Sequence, residues 1–285
     1  MTLNTTYRQL KDTLAKAPNA AEDPGFEASL LLEAVMGITR EMLLRDGGRE
    51  VLATEAAALN ALVIRRKSGE PLQYLLGQWE FYGLPFAVGP GVLIPRPETE
   101  LLVDEALRAV EGLAAPMLLD LCSGSGCIPI AVAKNRPDAG VWGVELSKDA
   151  YSYFKKNIEL NLAQNVTPVH GNALELPLEI LSRQWHVITS NPPYIASGQL
   201  PGLQAEVQQE PAMALDGGPD GLMFYRRLST LCLPLLADGG LLAFEVGEDQ
   251  GEAVKALLIQ AGFVQISIKK DYAGHHRVVT GLKPI

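Results

Sequence analysis

The run His186-Val187-Ile188-Thr189-Ser190-Asn191-Pro192-Pro193-Tyr194 decides how this chain is read. Its apolar opening reads as a buried strand that stops abruptly. Two consecutive prolines cannot continue a sheet ladder, because neither has an N–H to donate. Pro192 keeps Asn191 extended, and Pro193 does the same to Pro192. The strand therefore ends in a stiff loop that presents one side-chain amide, one free backbone carbonyl and one aromatic ring. That set suits a planar, neutral –NH2 group. The Asn191 oxygen and the Pro192 carbonyl are two acceptors for its two N–H donors. The Tyr194 ring can lie against the flat face of an amide or a base. A turn that merely ends a strand is the plainer reading, and the functional one depends on a cofactor loop upstream.

Such a loop stands at Asp120-Leu121-Cys122-Ser123-Gly124-Ser125-Gly126, between an apolar strand and a helix. Its glycines permit a tight turn and close approach of backbone to a ligand. It is neither the GxGxxG dinucleotide fingerprint nor a phosphate-binding loop, having no Gly-Lys-Ser/Thr. Glu145 ends the next strand, where a doubly wound fold sets an acid against ribose hydroxyls, with Leu146 beside it. Asp120 is placed to meet a ligand ammonium. Asn172 and Ala173, just after the third strand, sit where an adenine edge can be read. With no pyrophosphate site in view, these features fit S-adenosylmethionine better than a dinucleotide.

Outward from these loops, strands at 117–121, 141–144, 167–170, 186–189 and 241–246 alternate with helices at 127–135, 148–162 (capped by Ser147), 221–236 and 252–261. Two final strands, 263–268 and 277–282, follow in succession. The pattern predicts an α/β fold, a doubly wound, mostly parallel seven-stranded sheet with one antiparallel strand. Residues 1–74 read instead as a small all-helical domain. Tyr7, Leu10, Leu14 and Ala17 fall at helical spacing before Pro18-Asn19 breaks the run. A second helix covers 26–36, and Thr39 caps a short third. Thr54 opens a longer helix ending in Arg65-Arg66-Lys67, basic residues that suit the helix's negative end. Residues 75–95, rich in Gly, Pro and aromatics, read as a hairpin linker, and 96–285 as the catalytic domain. Pro97 or Glu98 falls in the first turn of the helix that leads into it.

The chain has 285 residues, 47% of them hydrophobic, and a net charge of −9. Bulk nucleic-acid binding calls for a basic face, so direct DNA binding is not expected. Cys122, Cys127 and Cys232 are scattered without a nearby His at ligand spacing, and read as buried thiols in a reducing cytoplasm. No apolar run reaches membrane-spanning length, and no metal is expected.

With these residues in place, the chain resembles the class I S-adenosylmethionine-dependent methyltransferases, and within them the HemK/PrmC family of protein-(glutamine-N5) methyltransferases. The resemblance covers nearly the whole chain. Four stretches carry it. They are Leu93-Ile94-Pro95-Arg96-Pro97-Glu98-Thr99-Glu100, the Ser190-Asn191-Pro192-Pro193-Tyr194-Ile195 run, Glu210-Pro211 with 214–222, and Asp271-Tyr272-Ala273-Gly274 leading into Arg277-Val278-Val279. Asn-Pro-Pro-Tyr alone is shared with adenine-N6 DNA methyltransferases. The family implies that the helical domain docks a class I peptide chain release factor, and that the glutamine of its Gly-Gly-Gln loop enters beside the cofactor. Arg96 and Thr99 are then expected to border the substrate backbone or cofactor tail, with Asn191, Pro192, Pro193 and Tyr194 around the glutamine. A monomer is expected. Two positions depart from the family: Asn172 stands where Asp is frequent, and Cys122 where glycine is common.

The rival enzymatic reading, an adenine-N6 nucleic-acid methyltransferase, would use the same loop on a flipped base. The charge of −9 and the lack of an aromatic-basic stretch count against it. A non-catalytic cofactor-binding module would not need Asn191 and Tyr194. His186, His275 and His276 are poor catalytic candidates, because the methylated nitrogen becomes acidic only after attack and no strong base is required.

Overall fold

Short capping signals set the first helices. In the computed structural model, which describes residues 1–17 and 23–285, the Thr2 hydroxyl accepts from Thr5 N–H to begin α1 (Leu3–Ala15). Asp23 caps α2 (Pro24–Met36), which stops at Gly37 in the left-handed conformation. Thr39 caps α3 (Arg40–Arg45) as expected. The Pro18-Asn19 break lies outside the described residues. Helix α4 (Ala53–Lys67) begins one residue before Thr54, because the Glu55 carboxylate accepts Leu52 N–H at 2.9 Å and so fixes the first turn. A further short helix, α5 (Leu72–Leu76), follows. Leu3, Leu14, Leu31, Leu32, Leu59 and Leu72 form one apolar core.

This first compact unit comprises Met1–Gln78 together with Leu203–Gln209. The distant segment carries Glu206, which pairs with Arg66 at 2.7 Å, while Glu27 pairs with the same guanidinium at 2.9 Å. Arg66 is 2% exposed. It is therefore a buried ion-pair centre, whereas its sequence position suggested only a complement to the helix end.

The second unit, Trp79–Gly202 with Glu210–Ile285, holds the sheet. A hairpin of β1 (Gln78–Phe81) and β2 (Leu84–Ala87) leads to a 3-10 turn, Pro97–Thr99, and α6 (Glu100–Ala109). The alternation then runs β3 (Met117–Leu121), α7 (Cys127–Asn135), β4 (Gly140–Glu145), α8 (Lys148–Leu160), β5 (Val166–His170), α9 (Leu178–Leu181) and β6 (Trp185–Ser190). It closes with α10 (Met223–Cys232), β7 (Leu236–Glu245), α11 (Gly251–Ala261), β8 (Val264–Lys270) and β9 (His276–Leu282). Seven strands form one sheet in the order β5-β4-β3-β6-β7-β9-β8. Strands β5 to β7 are parallel, and β9 inserts antiparallel between β7 and β8. This is the expected doubly wound sheet.

Both faces are buried, as the near-continuous apolar strands require. Leu118 and Val141 pack with residues of α6 and α7 on one face. Leu119 and Val144 turn to the other, with Tyr225 and Leu228 of α10 and Val254 and Leu258 of α11. Chain order reverses at β3, whose two neighbours are β4 and β6. Ligands of open α/β sheets bind in the crevice outside the carboxyl ends of the strands at such a switch point. Here that crevice receives the glycine loop after β3, Glu145 at the end of β4, and Asn191 after β6.

Candidate active site

The glycine loop is built by its own backbone and by two buried polar side chains. Ser123 N–H donates to Val144 O at 3.0 Å and Gly126 N–H to Ser123 O at 2.7 Å. The Glu145 carboxylate accepts Gly124 N–H at 2.7 Å through Oε2 and Ser147 N–H at 2.6 Å through Oε1. Asn157, fully buried on α8, donates to Ser125 O at 2.9 Å and exchanges hydrogen bonds with Ala87. Cys122 has φ +61°, a left-handed conformation that favours glycine. Burial raises the Cys122 thiol, so it stays protonated.

Three buried carboxylates lie close by. Asp120 accepts from the Thr189 hydroxyl at 2.6 Å, and burial raises it to about 7. Burial also raises Glu145, against the backbone N–H groups of Ser147, Gly124 and Leu146 that favour its charged form. Beneath Asn191, the Thr99 hydroxyl donates to Glu245 Oε2 at 2.6 Å and accepts Asn191 Nδ2–H at 3.3 Å. Burial raises Glu245 to about 7.

The Asn-Pro-Pro-Tyr loop is braced at both ends. Ser190 Oγ donates to Leu121 O at 2.7 Å, and Gln250 Nε2 to Tyr194 O at 2.8 Å. No donor among the described residues reaches the Pro192 carbonyl.

A cleft of about 640 Å³, open solvent at its mouth included, brings together Cys122, Gly124, Glu145, Leu146, Asn172, Ala173, Asn191 and Pro193. A smaller pocket joins Arg96, Thr99, Ser123, Ser125, Cys122 and Gly124, and Asn191 again lines it. Asn191 thus forms part of the wall of both. Asp120, Gly126 and Pro192 line neither, and Tyr194 opens onto a separate polar groove with Asp220, Gln250 and Arg277. Gly126 serves packing, since a Cβ there would meet the Phe154 ring at 2.0 Å. Asn172 spends its oxygen on Leu174 N–H at 2.9 Å.

Arg96 is engaged within the protein, pairing with Glu210 and donating to Ile94 O at 2.7 Å. Glu210 also accepts Ile94 N–H at 2.9 Å. Glu245 and Asn157 are site-building residues that the sequence motifs did not single out, while Glu210 belongs to a motif but has no role assigned there. The available signal was a polar residue within an apolar pattern, plainest for Glu245 after Leu241-Leu242-Ala243-Phe244. None of the histidines lines the cleft. The His186 ring instead accepts Met117 N–H at 3.0 Å.

A doubly wound sheet with this loop, this acid and this Asn-Pro-Pro-Tyr corner defines a class I methyltransferase. The comparisons agree: residues 6–77 match the PrmC N-terminal domain, and residues 114–186 a putative methyltransferase family. The release factor glutamine methyltransferase of Caulobacter vibrioides is 39% identical over 99% of this chain and 97% of its own. That of Geobacter sulfurreducens is 42% identical over 93% of this chain and 92% of its own. A solved release factor-specific protein-(glutamine-N5) methyltransferase from Alicyclobacillus acidocaldarius is 33% identical, covering 70% of this chain and all of its own, with a TM-score of 0.43. The chain belongs to the release factor glutamine methyltransferase family.

No helix among the described residues is long and apolar enough to cross a membrane, and none of their side chains cluster as a metal site.

Proposed function

We infer that this enzyme transfers a methyl group from S-adenosylmethionine to the side-chain amide nitrogen of the glutamine in the Gly-Gly-Gln loop of class I release factors. The observation that carries this reading is the position of Asn191 on the shared wall of the two pockets, followed in the chain by a Pro192 carbonyl that no donor among the described residues reaches.

The cleft suits the cofactor. Asp120 Oδ2 and Ser125 Oγ are buried without a hydrogen-bond partner among the described residues. An unmatched buried carboxylate oxygen suits a cationic ligand. At Gly124 a Cβ would meet nothing within 4 Å, so the backbone there is open to close approach. Glu145 would hold the ribose hydroxyls with the lone pairs that its N–H contacts leave free, Leu146 would flank it, and Asn172 and Ala173 would border the adenine.

Bound S-adenosylmethionine supplies an electrophilic methyl group on a sulfonium. An amide nitrogen is a poor nucleophile, because its lone pair is delocalised into the carbonyl. Asn191 Oδ1 and the Pro192 carbonyl accept both amide hydrogens, which favours a localised lone pair and stabilises the positive charge growing on nitrogen. The stiff loop holds that nitrogen in line. Its extra proton leaves after attack without a strong base.

We assign substrate docking to the helical domain before residue 75, and cytoplasmic action on release factors as a monomer. An adenine substrate would meet the same two acceptors, but a net charge of −9 counts against bulk binding to a nucleic-acid backbone. Incubating the enzyme with labelled S-adenosylmethionine and either an intact release factor or DNA tests the reading. Label on the Gly-Gly-Gln glutamine is expected, and label on DNA alone would overturn it.

A further inference from the structure

Asn191 can serve the substrate only if its oxygen, not its NH2, faces the glutamine. The amide is nearly symmetrical in shape, so something must choose between its two orientations. The groups behind it make that choice.

Thr99 and Glu245 are 2% and 1% exposed, so water does not compete for their hydrogen bonds. The Thr99 hydroxyl has one proton, and an ionised carboxylate only accepts. At 2.6 Å from Glu245 Oε2, that proton belongs to the Thr99–Glu245 bond. What Thr99 Oγ1 offers Asn191 is then a lone pair, so Asn191 must turn Nδ2 inward, as seen at 3.3 Å. Its Oδ1 is left for the cleft. Neither Thr99 nor Glu245 needs to touch substrate.

We propose that Glu245, acting through Thr99, is the positioning residue that turns the Asn191 oxygen toward the substrate amide. This rests on the glutamine reading above. It reassigns Thr99 from a border of the substrate to a link behind the loop.

The same geometry makes the device reversible. A neutral Glu245 places its own proton on Thr99 Oγ1, Thr99 donates to the Asn191 oxygen, and the amide then shows its NH2 to a substrate that needs acceptors. Burial holds Glu245 near neutrality, opposed by the Thr99 hydrogen bond. The charged groups around it are Arg277 on β9, which Asp271 holds, with Arg96 and Glu98 before α6. Tyr194 and Cys127 also feel its charge. Tyr225 O–H donates to its backbone carbonyl at 2.8 Å, and the Tyr225 phenol also feels the carboxylate's charge. The competent orientation therefore requires the ionised carboxylate. It is present above the midpoint and lost as pH falls.

The test uses the full-length enzyme, an intact release factor, and the variants Glu245→Gln, Thr99→Val and Thr99→Ser. Wild-type kcat should fall about tenfold per pH unit below the midpoint, as for one required base. Thr99→Val and Glu245→Gln should lose that limb and run about tenfold or more slower at pH 8.5, by analogy with a misdirected transition-state acceptor. Thr99→Ser should keep the limb, and KM for S-adenosylmethionine should change little in all three. Independently of turnover, the Asn191 side-chain ¹⁵N resonance should titrate in wild type with the same midpoint and stand still in Glu245→Gln. An unshifted resonance in wild type, or an intact acid limb in Thr99→Val, overturns the proposal. A wild-type protein inert on glutamine would instead strike the proposed function, while the resonance still decides the relay.

Discussion

Glu145 Oε2 accepts the backbone N–H of Gly124 at 2.7 Å, so the acid at the end of β4 and the glycine loop after β3 form one rigid corner. The acid read as a ribose ligand also shapes the loop beside it. Hydrogen bonds to a charged group contribute about 1.5–3 kcal/mol each. Glu145→Ala should weaken S-adenosylmethionine binding about ten- to hundredfold, and Glu145→Gln less, because one acceptor oxygen remains. Isothermal titration calorimetry checks this, and unchanged affinity in folded Glu145→Ala would refute the assignment.

Asp120 gives a pH signature. Its folded-state value is raised to about 7 by burial, far above that of an exposed Asp. Between about pH 4 and 7 the unfolded chain is already ionised while the folded protein still holds the proton, so stability should fall as pH rises through this window. Asp120→Asn should remove that part of the slope and stabilise the ligand-free protein at pH 8 by on the order of 2 kcal/mol, while weakening cofactor binding. Thermal unfolding at pH 5 and pH 8 checks the sign, and equal losses at both pH values would contradict it.

The two loop glycines should fail differently. Gly126→Ala forces a Cβ to 2.0 Å from the Phe154 ring at φ +80°, whereas Gly124→Ala meets nothing within 4 Å and suffers only φ +55°. Gly124→Ala should cost about 1–2 kcal/mol of stability. Gly126→Ala adds an overpacking cost of about 1–3 kcal/mol. Gly124→Ala should therefore fold yet bind cofactor poorly. Urea unfolding alongside calorimetry separates the two, and equal stabilities would show that the Phe154 contact yields freely.

How much of this was legible in sequence depended on whether a residue's partner lay nearby in the chain. The strands, their mostly parallel order and the terminal antiparallel pair follow from apolar runs alternating with capped helices, and Ser147 and Thr39 cap as read. The cleft residues Gly124, Glu145, Asn172 and Asn191 were found because each ends a strand or opens a loop at the switch point. Glu245 was missed because its partner Thr99 lies 146 positions away and its strand reads as core. The pairing of Arg66 with Glu206 spans 140 positions and escaped for the same reason. Spacing could not show that Gly126 faces Phe154 rather than a ligand, since both uses require the same residue type.

That Arg66 centre carries its own expectation. Its two acids have side chains 12% and 33% exposed, so removing the cation leaves carboxylates only partly rescued by water. Arg66→Met should cost about 2–4 kcal/mol, and Glu206→Gln less, since Glu27 still pairs with the guanidinium. Urea denaturation measures both, and a loss under about 0.5 kcal/mol for Arg66→Met would place the centre among surface pairs.

Asn191→Ala tests the central claim most directly. It removes one of two acceptors while leaving Glu145 and the glycine loop untouched. Single-turnover methylation of an intact release factor should slow about 10²–10³-fold, as when one oxyanion-hole partner is lost. Calorimetry should show S-adenosylmethionine affinity within several-fold of wild type, and mass spectrometry should place the residual methyl on the Gly-Gly-Gln glutamine. Near-normal turnover by Asn191→Ala, or a wild-type methyl found only on adenine, would contradict the account.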